Sequence, residues 1–215
     1  MREPVISGNA MNLPFAAADS TLFFLVNGNH HVVFDWFFFA VTQLGNGWVV
    51  GPLLIALVIR NVPRRRVVRV IVCGTVALLL SGIVNSQIKR AVGRQRPYIH
   101  FAGSGVGKDM ADHATEKTPV VRLLGPSYRN RSFPSGHTET AFSAAVFLAV
   151  LFGGCWYWSF AAALAVGYSR VYLGVHFPLD VVAGALLGSL LSATVLLFCR
   201  RLKLLYPSKE QDNGQ

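Results

Sequence analysis

Three short polar blocks interrupt an otherwise apolar chain of 215 residues, and each lies at the end of an apolar run. Together they supply one lysine, two arginines, two histidines, a serine and an aspartate as candidates for chemistry. Cationic side chains bind phosphoryl oxygens, and imidazole groups attack phosphorus or transfer protons. If the ends of the apolar runs meet in space, this inventory suits the binding and attack of a phosphate. The blocks are Lys89 to Pro97, Pro134 to His137 and Ser169 to Asp180.

The first block places Lys89 and Arg96 seven positions apart. Seven residues are close to two turns of an α-helix, so the spacing predicts both side chains on nearly one face, roughly 10 Å apart along the axis. Pro97 disfavours helix at the residue before it, and we expect the element to end there. Arg90 and Arg94 are predicted to lie on other faces and are the weaker candidates. A basic cluster that holds lipid headgroups is an equally good interpretation of this block alone.

The second block opens an apolar run with Ser135, Gly136 and His137. Free backbone N–H groups at a helix start, a glycine that admits a ligand and a serine hydroxyl predict an anion site that the helix dipole strengthens. The alternative is purely structural, because proline and serine are ordinary residues at helix starts.

The third block places Arg170, His176 and Asp180 around the junction of two apolar runs. Asp180 could be only a favourable acid at a helix start, and Arg170 only an anchor at the membrane interface. Ionisable groups beside apolar spans are costly, however, and are usually functional. The convergence of both charge signs therefore favours a site.

The remainder of the chain is apolar enough to provide membrane spans. Hydrophobic residues make up 53% of the sequence, and the mean hydropathy is +0.45. A span needs roughly 20 apolar residues. The pattern predicts an all-α fold, a polytopic membrane helical bundle with about five transmembrane helices. The predicted spans are Val32 to Ile59, which is bent or split near Leu44 to Gly47, then Val67 to Ile88, Thr138 to Phe152, Trp156 to Leu173 and Leu179 to Phe198.

The segments outside these spans complete a single domain of residues 1–215. The apolar patch Thr21 to Asn27 is too short to cross a bilayer and predicts an interfacial helix within the N-terminal segment 1–31. Residues 98–132 are expected to form an extramembrane loop over the three blocks. Residues 206–215 are expected to be a polar cytoplasmic tail.

Basic residues indicate how the bundle is oriented. The formal net charge is +10, and arginines and lysines cluster in residues 60–69 and 200–209. Cytoplasmic loops collect Lys and Arg, so this pattern predicts a multi-pass protein of the cell (inner) membrane with all three blocks on the extracytoplasmic side. Nucleic-acid binding is disfavoured, because the aromatic residues lie inside apolar runs rather than beside the charges.

In order and spacing, the three blocks resemble the signature of the type 2 phosphatidic acid phosphatase superfamily. The resemblance extends over about residues 67–198 and implies a helical bundle with a metal-independent covalent mechanism that needs no cofactor. It implies that His176 is the nucleophile, that Asp180 orients it and that His137 is the general acid. It also implies a phosphate-binding role for the five remaining motif residues, which are Lys89, Arg96, Ser135, Gly136 and Arg170.

A site at the outer membrane boundary suits an amphiphile whose tail remains in lipid while its phosphate enters the polar pocket, so we expect a lipid phosphate as the substrate and membrane lipids as neighbours. Undecaprenyl diphosphate, phosphatidylglycerol phosphate, phosphatidic acid and lipid A phosphate all remain open. We expect the 98–132 loop to contact the headgroup. A lipid phosphotransferase with the same phosphohistidine and a non-catalytic lipid-binding or transport protein are the alternatives. The expected headgroup contacts are Lys108, Lys117, Arg122, Arg129 and Arg131.

Overall fold

In the computed structural model of the protein, residues 16–103, 121–128 and 130–205 are described, and all their regular elements are helical. This agrees with the predicted all-α class. The helices are α1 (Ala16–Asn27), α2 (Val32–Val41), α3 (Gly47–Asn61), α4 (Arg64–Val92), α5 (Pro97–Gly103), α6 (Gly136–Phe152), α7 (Trp158–Tyr172) and α8 (Pro178–Arg201), with 3₁₀ turns at Thr42–Gly45 and Gly154–Tyr157.

Two segments of the described chain are long and apolar enough to cross a membrane: Arg64–Ala102, which contains α4, and α8. The pair Val32–Gly45 and Gly47–Asn61 adds a third if it counts as one span bent by 64°. Helix α6 is apolar but shorter, with 17 residues, and α7 has 15. The predicted multi-pass bundle is therefore supported, whereas the count of five spans is not confirmed by length and composition.

The first predicted span is split where the sequence suggested a bend or break. Asn46 leaves the helical conformation, and its side-chain oxygen accepts a hydrogen bond from the backbone N–H of Trp48 at 3.1 Å. This bond satisfies one of the unpaired donors at the start of α3. The 3₁₀ turn before it packs against α6 and α7, so the break lies beside the helices that carry the second and third polar blocks.

Helix α6 lies at the centre of the bundle, against α4, α7 and α8. Its approach to α8 is very close: a Cβ atom at Gly188 would overlap the carbonyl oxygen of Glu139. Small residues allow this kind of backbone contact between membrane helices. The close packing holds the N-terminal ends of α6 and α8 side by side, and these two ends carry His137 and Asp180.

Helix α1 packs on protein rather than lying free. Phe23 is fully buried, with its ring 5.5 Å from the ring of Phe177, just before α8. Asn27 at the other end of α1 is also buried, and its amide donates to the carbonyl oxygens of Arg122 and Tyr172, each at 2.9 Å. Position at a membrane interface stays a prediction, but the helix is part of the folded domain.

The expectation that Lys89 and Arg96 share one helix is wrong. Helix α4 ends at Val92, and Gly93 follows in the left-handed conformation with φ 66°. Glycine adopts this conformation without the steric cost of a Cβ atom, which makes it a frequent helix terminator. Pro97 begins α5 instead of ending the preceding element. A turn, not a shared helical face, brings Arg96 back to the site.

Several sequence predictions fall outside the described residues. These are the tail 206–215, residues 1–15 and most of the loop, including Lys108, Lys117 and Arg129. Of the described loop residues, Arg122 is exposed and lies 3.8 Å from a carboxylate oxygen of Asp35. The backbone carbonyl of Arg131 accepts a hydrogen bond from Lys89.

Candidate active site

His176 lies in the short connection between α7 and α8, and it is buried. Its Nδ1 atom lies 3.3 Å from Oδ2 of Asp180, and its Nε2 atom lies 3.1 Å from a guanidinium nitrogen of Arg96. The contact with a carboxylate favours the proton on Nδ1, which leaves the Nε2 lone pair directed towards the arginine. An imidazole in this tautomer has an available nucleophilic nitrogen.

The electrostatic surroundings of His176 keep it neutral. Burial is the main cause that lowers the pKa of His176 well below its usual range, because a charged imidazolium would lose its hydration. Nearby positive charges act in the same direction. A histidine with a lowered pKa retains its lone pair at neutral pH. The contributing groups, in decreasing order, are Arg96, Arg170, Lys89 and His137, which places all three predicted cations and both histidines in one region.

Asp180 is fully buried in the first turn of α8. Its Oδ2 atom accepts a hydrogen bond from the backbone N–H of Phe177 at 2.9 Å, and its Oδ1 atom accepts one from Arg94 at 2.7 Å. Pro178 occupies the first position of the helix, where a missing N–H costs little. The carboxylate is therefore fixed on both oxygens, and Oδ2 also faces His176.

Arg96 and Arg170 are both buried, and each is oriented by neutral polar groups. Arg96 donates to the carbonyl oxygen of Val175 at 2.8 Å and to the backbone and side-chain oxygens of Asn130 at 3.1 and 2.5 Å. Arg170 donates to the hydroxyl of Thr42 at 2.7 Å. Within the described residues, Nε of Arg170 has no hydrogen-bond partner. Neither arginine forms a salt bridge in the described part of the chain, so their charge remains available for an anion.

The aromatic ring of Tyr128 lies beside both guanidinium groups. The ring centroid is 4.7 Å from the guanidinium carbon of Arg96 and 5.6 Å from that of Arg170. The Tyr98 hydroxyl fixes this part of the loop by donating to the Tyr128 carbonyl at 2.6 Å. These contacts orient the cations without neutralising them.

Lys89 is directed into the turn that precedes α6. Its ammonium group donates to the carbonyl oxygen of Pro134 and lies 3.3 and 3.4 Å from the carbonyl oxygens of Arg131 and Ser132. Carbonyl dipoles orient an ammonium group but do not cancel its charge. Lys89 therefore joins the second polar block to the first.

The second block forms the start of α6 and contacts α8. The backbone N–H of Ser135 donates to the carbonyl oxygen of Asp180 at 2.9 Å, while the Ser135 hydroxyl accepts a hydrogen bond from Thr138 at 2.9 Å. Gly136 is the first helical residue, so its N–H has no partner within the helix. His137 is half-buried, and the charges of Arg170, Arg96 and Lys89 act on its ring. This helix start is suited to an anion.

All eight predicted site residues thus lie at one end of the bundle, on the ends of four helices (α4, α6, α7 and α8) and in three connections. Sequence reasoning missed several residues that orient them. Arg94, which the sequence ranks among the weaker candidates, pairs with Asp180; its position within the first block was the available signal. The others are distant in sequence and gave no signal: Asp19, Thr42, Tyr128 and Asn130.

Within the described residues, no group of three or more His, Cys, Asp or Glu side chains is arranged to hold a metal ion. The chemistry visible in the site is that of two imidazoles, one carboxylate and three cations. Independence from metals stays a prediction.

Comparison with known proteins identifies the family. The PAP2 superfamily matches residues 70–203, well over half of the chain. This chain belongs to the PAP2 superfamily. The match covers all three polar blocks, so the resemblance inferred from their spacing is confirmed. The helices α1 to α3 lie before the matched region.

Individual PAP2 proteins resemble this chain over most of its length. An undecaprenyl-diphosphatase of Sulfolobus acidocaldarius is 29% identical over 187 residues, which cover 86% of this chain and 79% of that relative. The crystal structure of Aquifex aeolicus LpxE is 34% identical with a TM-score of 0.62 and covers 83% of this chain and 94% of its own. A transmembrane PAP2-type phosphatidylglycerolphosphate phosphatase of Bacillus subtilis has a TM-score of 0.68 at 23% identity, covers 90% of each chain, and supports the fold alone.

Family membership and the apolar helices establish the general character of the protein. It is a PAP2 phosphatase, a hydrolase that acts on phosphate esters, and it is a multi-pass membrane protein. The imidazole of His176 and several cations lie in one small region, an arrangement that could bind and attack a phosphate.

Proposed function

We propose that this PAP2 protein is a membrane lipid phosphatase that hydrolyses a lipid phosphomonoester or diphosphate through a phosphohistidine on His176. One observation carries the proposal: the buried imidazole of His176 lies between the Asp180 carboxylate and the Arg96 guanidinium. Attack on the phosphorus of an anionic phosphoryl group requires a carboxylate on Nδ1, which stabilises the developing imidazolium, and a cation beside Nε2, which binds the phosphoryl oxygens.

The first half of the reaction forms a bond between Nε2 of His176 and phosphorus and breaks the bond from phosphorus to the lipid oxygen. Asp180 accepts a hydrogen bond from the Nδ1–H group, which keeps its proton, and stabilises the positive charge that develops on the ring. His137 donates a proton to the departing oxygen. In the second half, water attacks phosphorus, the N–P bond breaks, and His137 takes the proton from the water.

The cations stabilise the transition state. A phosphoryl group in transfer carries its charge on three equatorial oxygens, so several donors are needed at once. Arg96 and Arg170 are buried and form no ion pair with a described residue, and Lys89 contacts only carbonyl oxygens there. The N–H group of Gly136 and the hydroxyl of Ser135 complete the predicted phosphate-binding set. A phosphoryl group would enter between Arg96 and Nε2 of His176, and one of its oxygens would accept a hydrogen bond from the Arg96 N–H that now points at Nε2.

A lipid substrate follows from the position of the site. The reactive groups lie at one end of apolar helices, so a lipid tail remains in the bilayer while its phosphate enters the polar region. Similar proteins are named for undecaprenyl diphosphate, lipid A and phosphatidylglycerol phosphate, which keeps these and phosphatidic acid as candidates. The described loop residues proposed to contact a headgroup are Arg122, with a side chain that is 58% exposed, and Arg131, which is also exposed and accepts a hydrogen bond from Lys89 through its carbonyl.

The proposed topology counts α2 and α3 as one bent span and adds α4, α6, α7 and α8. The basic connection at Arg60 to Arg69 then lies in the cytoplasm, and the site lies at the extracytoplasmic face of the cell membrane. Cysteine labelling with a membrane-impermeant reagent, at Gln95 beside the site and at Arg64 on the opposite side, tests this arrangement. If intact cells were labelled only at the cysteine that replaces Arg64, the proposed orientation in the membrane would be wrong.

Purified protein incubated with a panel of lipid mono- and diphosphates tests the function directly. Release of inorganic phosphate, unaffected by a metal chelator and inhibited by vanadate, is the expected result. Rapid quenching with base, which preserves phosphohistidine, should leave label from a radioactive substrate on a peptide containing His176. Release without label on that peptide would reject the covalent mechanism. Label that moves to a second lipid would show a phosphotransferase instead.

A further inference from the structure

The guanidinium group of Arg94 lies between two buried carboxylates. One of its nitrogens is 2.5 Å from Asp19 on α1, and another is 2.7 Å from Asp180. The arginine side chain is 16% exposed, whereas those of Asp19 and Asp180 are 1% and 0% exposed. The ring of Phe177 covers one face of the guanidinium at 4.1 Å. The three charged groups thus form a desolvated row, in which each interaction is stronger than at a surface.

This row leads directly to the imidazole. Asp180 contacts Arg94 through Oδ1 and faces His176 through Oδ2. At the other end, the second oxygen of Asp19 accepts a hydrogen bond from the backbone N–H of Leu179 at 2.8 Å. Asp19 therefore holds both Arg94 and the first turn of α8, the turn that carries Asp180.

Helix α1 is fixed at both ends, so Asp19 has a defined position. Asn27 accepts from the backbone N–H of Arg122 and donates to two carbonyl oxygens, each at 2.9 Å. Phe23 is fully buried between these two ends. Since α1 precedes residues 70–203, it contributes to the site from outside the region that the family match covers.

We propose that Asp19 and Arg94 are positioning residues that hold Asp180 ionised and aimed at His176; this rests on the proposed role of His176 as nucleophile. A buried carboxylate without a cation tends to take up a proton, and a protonated Asp180 would no longer anchor Nδ1–H. Arg94 opposes protonation of Asp180 and fixes Oδ1. Asp19 restores one net negative charge to the row and fixes the direction of Arg94.

The charges around the row agree with this role. The groups that face His176 from the other elements are Arg96, Arg170, Lys89 and the His137 ring. Each of them is a cation or an imidazole, and the negative charge in contact with His176 is that of Asp180, at the end of the row. That charge is needed when attack on phosphorus makes the ring positive.

Arg94→Gln and Asp19→Asn test the inference in the full-length protein. Misplacement of a reacting group by about 1 Å can cost about 10²-fold. We expect kcat to fall by about 10- to 100-fold in Arg94→Gln and about 10-fold in Asp19→Asn, with KM within about 3-fold because neither residue reaches the phosphate. The acidic limb of the kcat/KM profile should move to higher pH, since Asp180 would then take up a proton more readily. Arg94→Lys should restore part of the activity.

The control is Arg90→Gln, an exposed arginine of the same block, which should match the wild type. The inference would be overturned if both test variants had the same kcat and the same pH profile as the wild type. So would an activity loss that equals the loss of folded protein, because that result indicates a purely structural role. If Arg94→Gln does not fold, the nearly isosteric Asp19→Asn decides.

A parallel His176→Ala variant separates this inference from the proposed function. Full phosphate release by His176→Ala would reject the proposed nucleophile, whatever the Arg94 and Asp19 variants do. An inactive His176→Ala variant together with wild-type kinetics in Arg94→Gln and Asp19→Asn would reject only the positioning row.

Discussion

The two ends of the α4, α6 and α8 bundle bury very different side chains. One end buries arginines, a histidine and an aspartate in fixed contacts near 3 Å, such as those of Arg96 and Asp180 with His176. The other end buries an apolar cluster that includes Val58, Val70 and Phe147. A charge removed from water costs free energy unless it is paired, whereas apolar packing depends mainly on volume.

This difference indicates that the polar end is maintained for chemistry and the apolar end for stability. A buried guanidinium with no anionic partner, as found for Arg170 among the described residues, does not stabilise a fold by itself. Proteins often retain such groups because activity requires them, at a cost in stability. Substitutions at the polar end should therefore reduce turnover without unfolding the protein, and substitutions at the apolar end should do the reverse.

The largest effect is expected for His176→Ala. Loss of the proposed nucleophile should lower phosphate release by about 10³-fold or more, while the amount of folded protein in detergent stays unchanged. Phosphate release and size-exclusion profiles measure the two quantities. His100→Ala, an exposed histidine on α5, is the matched control and should retain activity. A large loss of folded protein in His176→Ala would remove the contrast between the two ends.

Arg170→Ala should have the second largest effect. It removes a buried cation from the predicted phosphate site, and the loss of one such donor typically lowers kcat by about 10²- to 10³-fold. Arg170→Lys should remain impaired, because an ammonium group cannot reproduce the planar donors of a guanidinium that also bonds Thr42. Steady-state kinetics at saturating lipid measure the change. Near wild-type turnover in Arg170→Ala would show that Arg170 does not stabilise the charge of the transition state.

The close approach of the eight candidate residues was predictable from the sequence, because the three blocks carry short-range information. Within the second block, Ser135, Gly136 and His137 are adjacent, so one helix start positions them together. In the third, Arg170 lies in the last turn of α7 and His176 in the short connection that follows. The all-α class and the break near Gly47 were also predictable, since hydropathy and glycine act locally.

The supporting contacts were not predictable because they join residues far apart in sequence. Asp19 and Asp180 meet through Arg94 only after α1 packs beside α8. Lys89 and Arg96 do not share the expected helix, because the chain leaves the helical conformation at Gly93, between them. The seven-residue spacing alone did not indicate this helix end. Asn130 lies in a loop without periodicity, so its two contacts with Arg96 required coordinates.

Val70→Ala is the corresponding test at the apolar end. Val70 is fully buried on α4, and removal of two methyl groups leaves a cavity that should lower the free energy of unfolding by about 1 to 2 kcal/mol. In a membrane protein most of this cost comes from lost packing, because lipid is also apolar. Thermal unfolding in detergent should show the shift, and kcat of the folded fraction should not change. A large drop in kcat at constant stability would contradict the division between the ends.

Val68→Ala should have the smallest effect. The two valines are two positions apart on α4, and Val68 is 72% exposed, so the same two methyl groups are removed from an outer surface rather than from the core. We expect a change within about 0.5 kcal/mol and unchanged kinetics. Because the chemical change matches that in Val70→Ala, the difference between the two variants isolates packing inside the bundle. An equal destabilisation of both would show that this outer face of α4 packs against protein, as it would between two copies of the chain, and not against lipid.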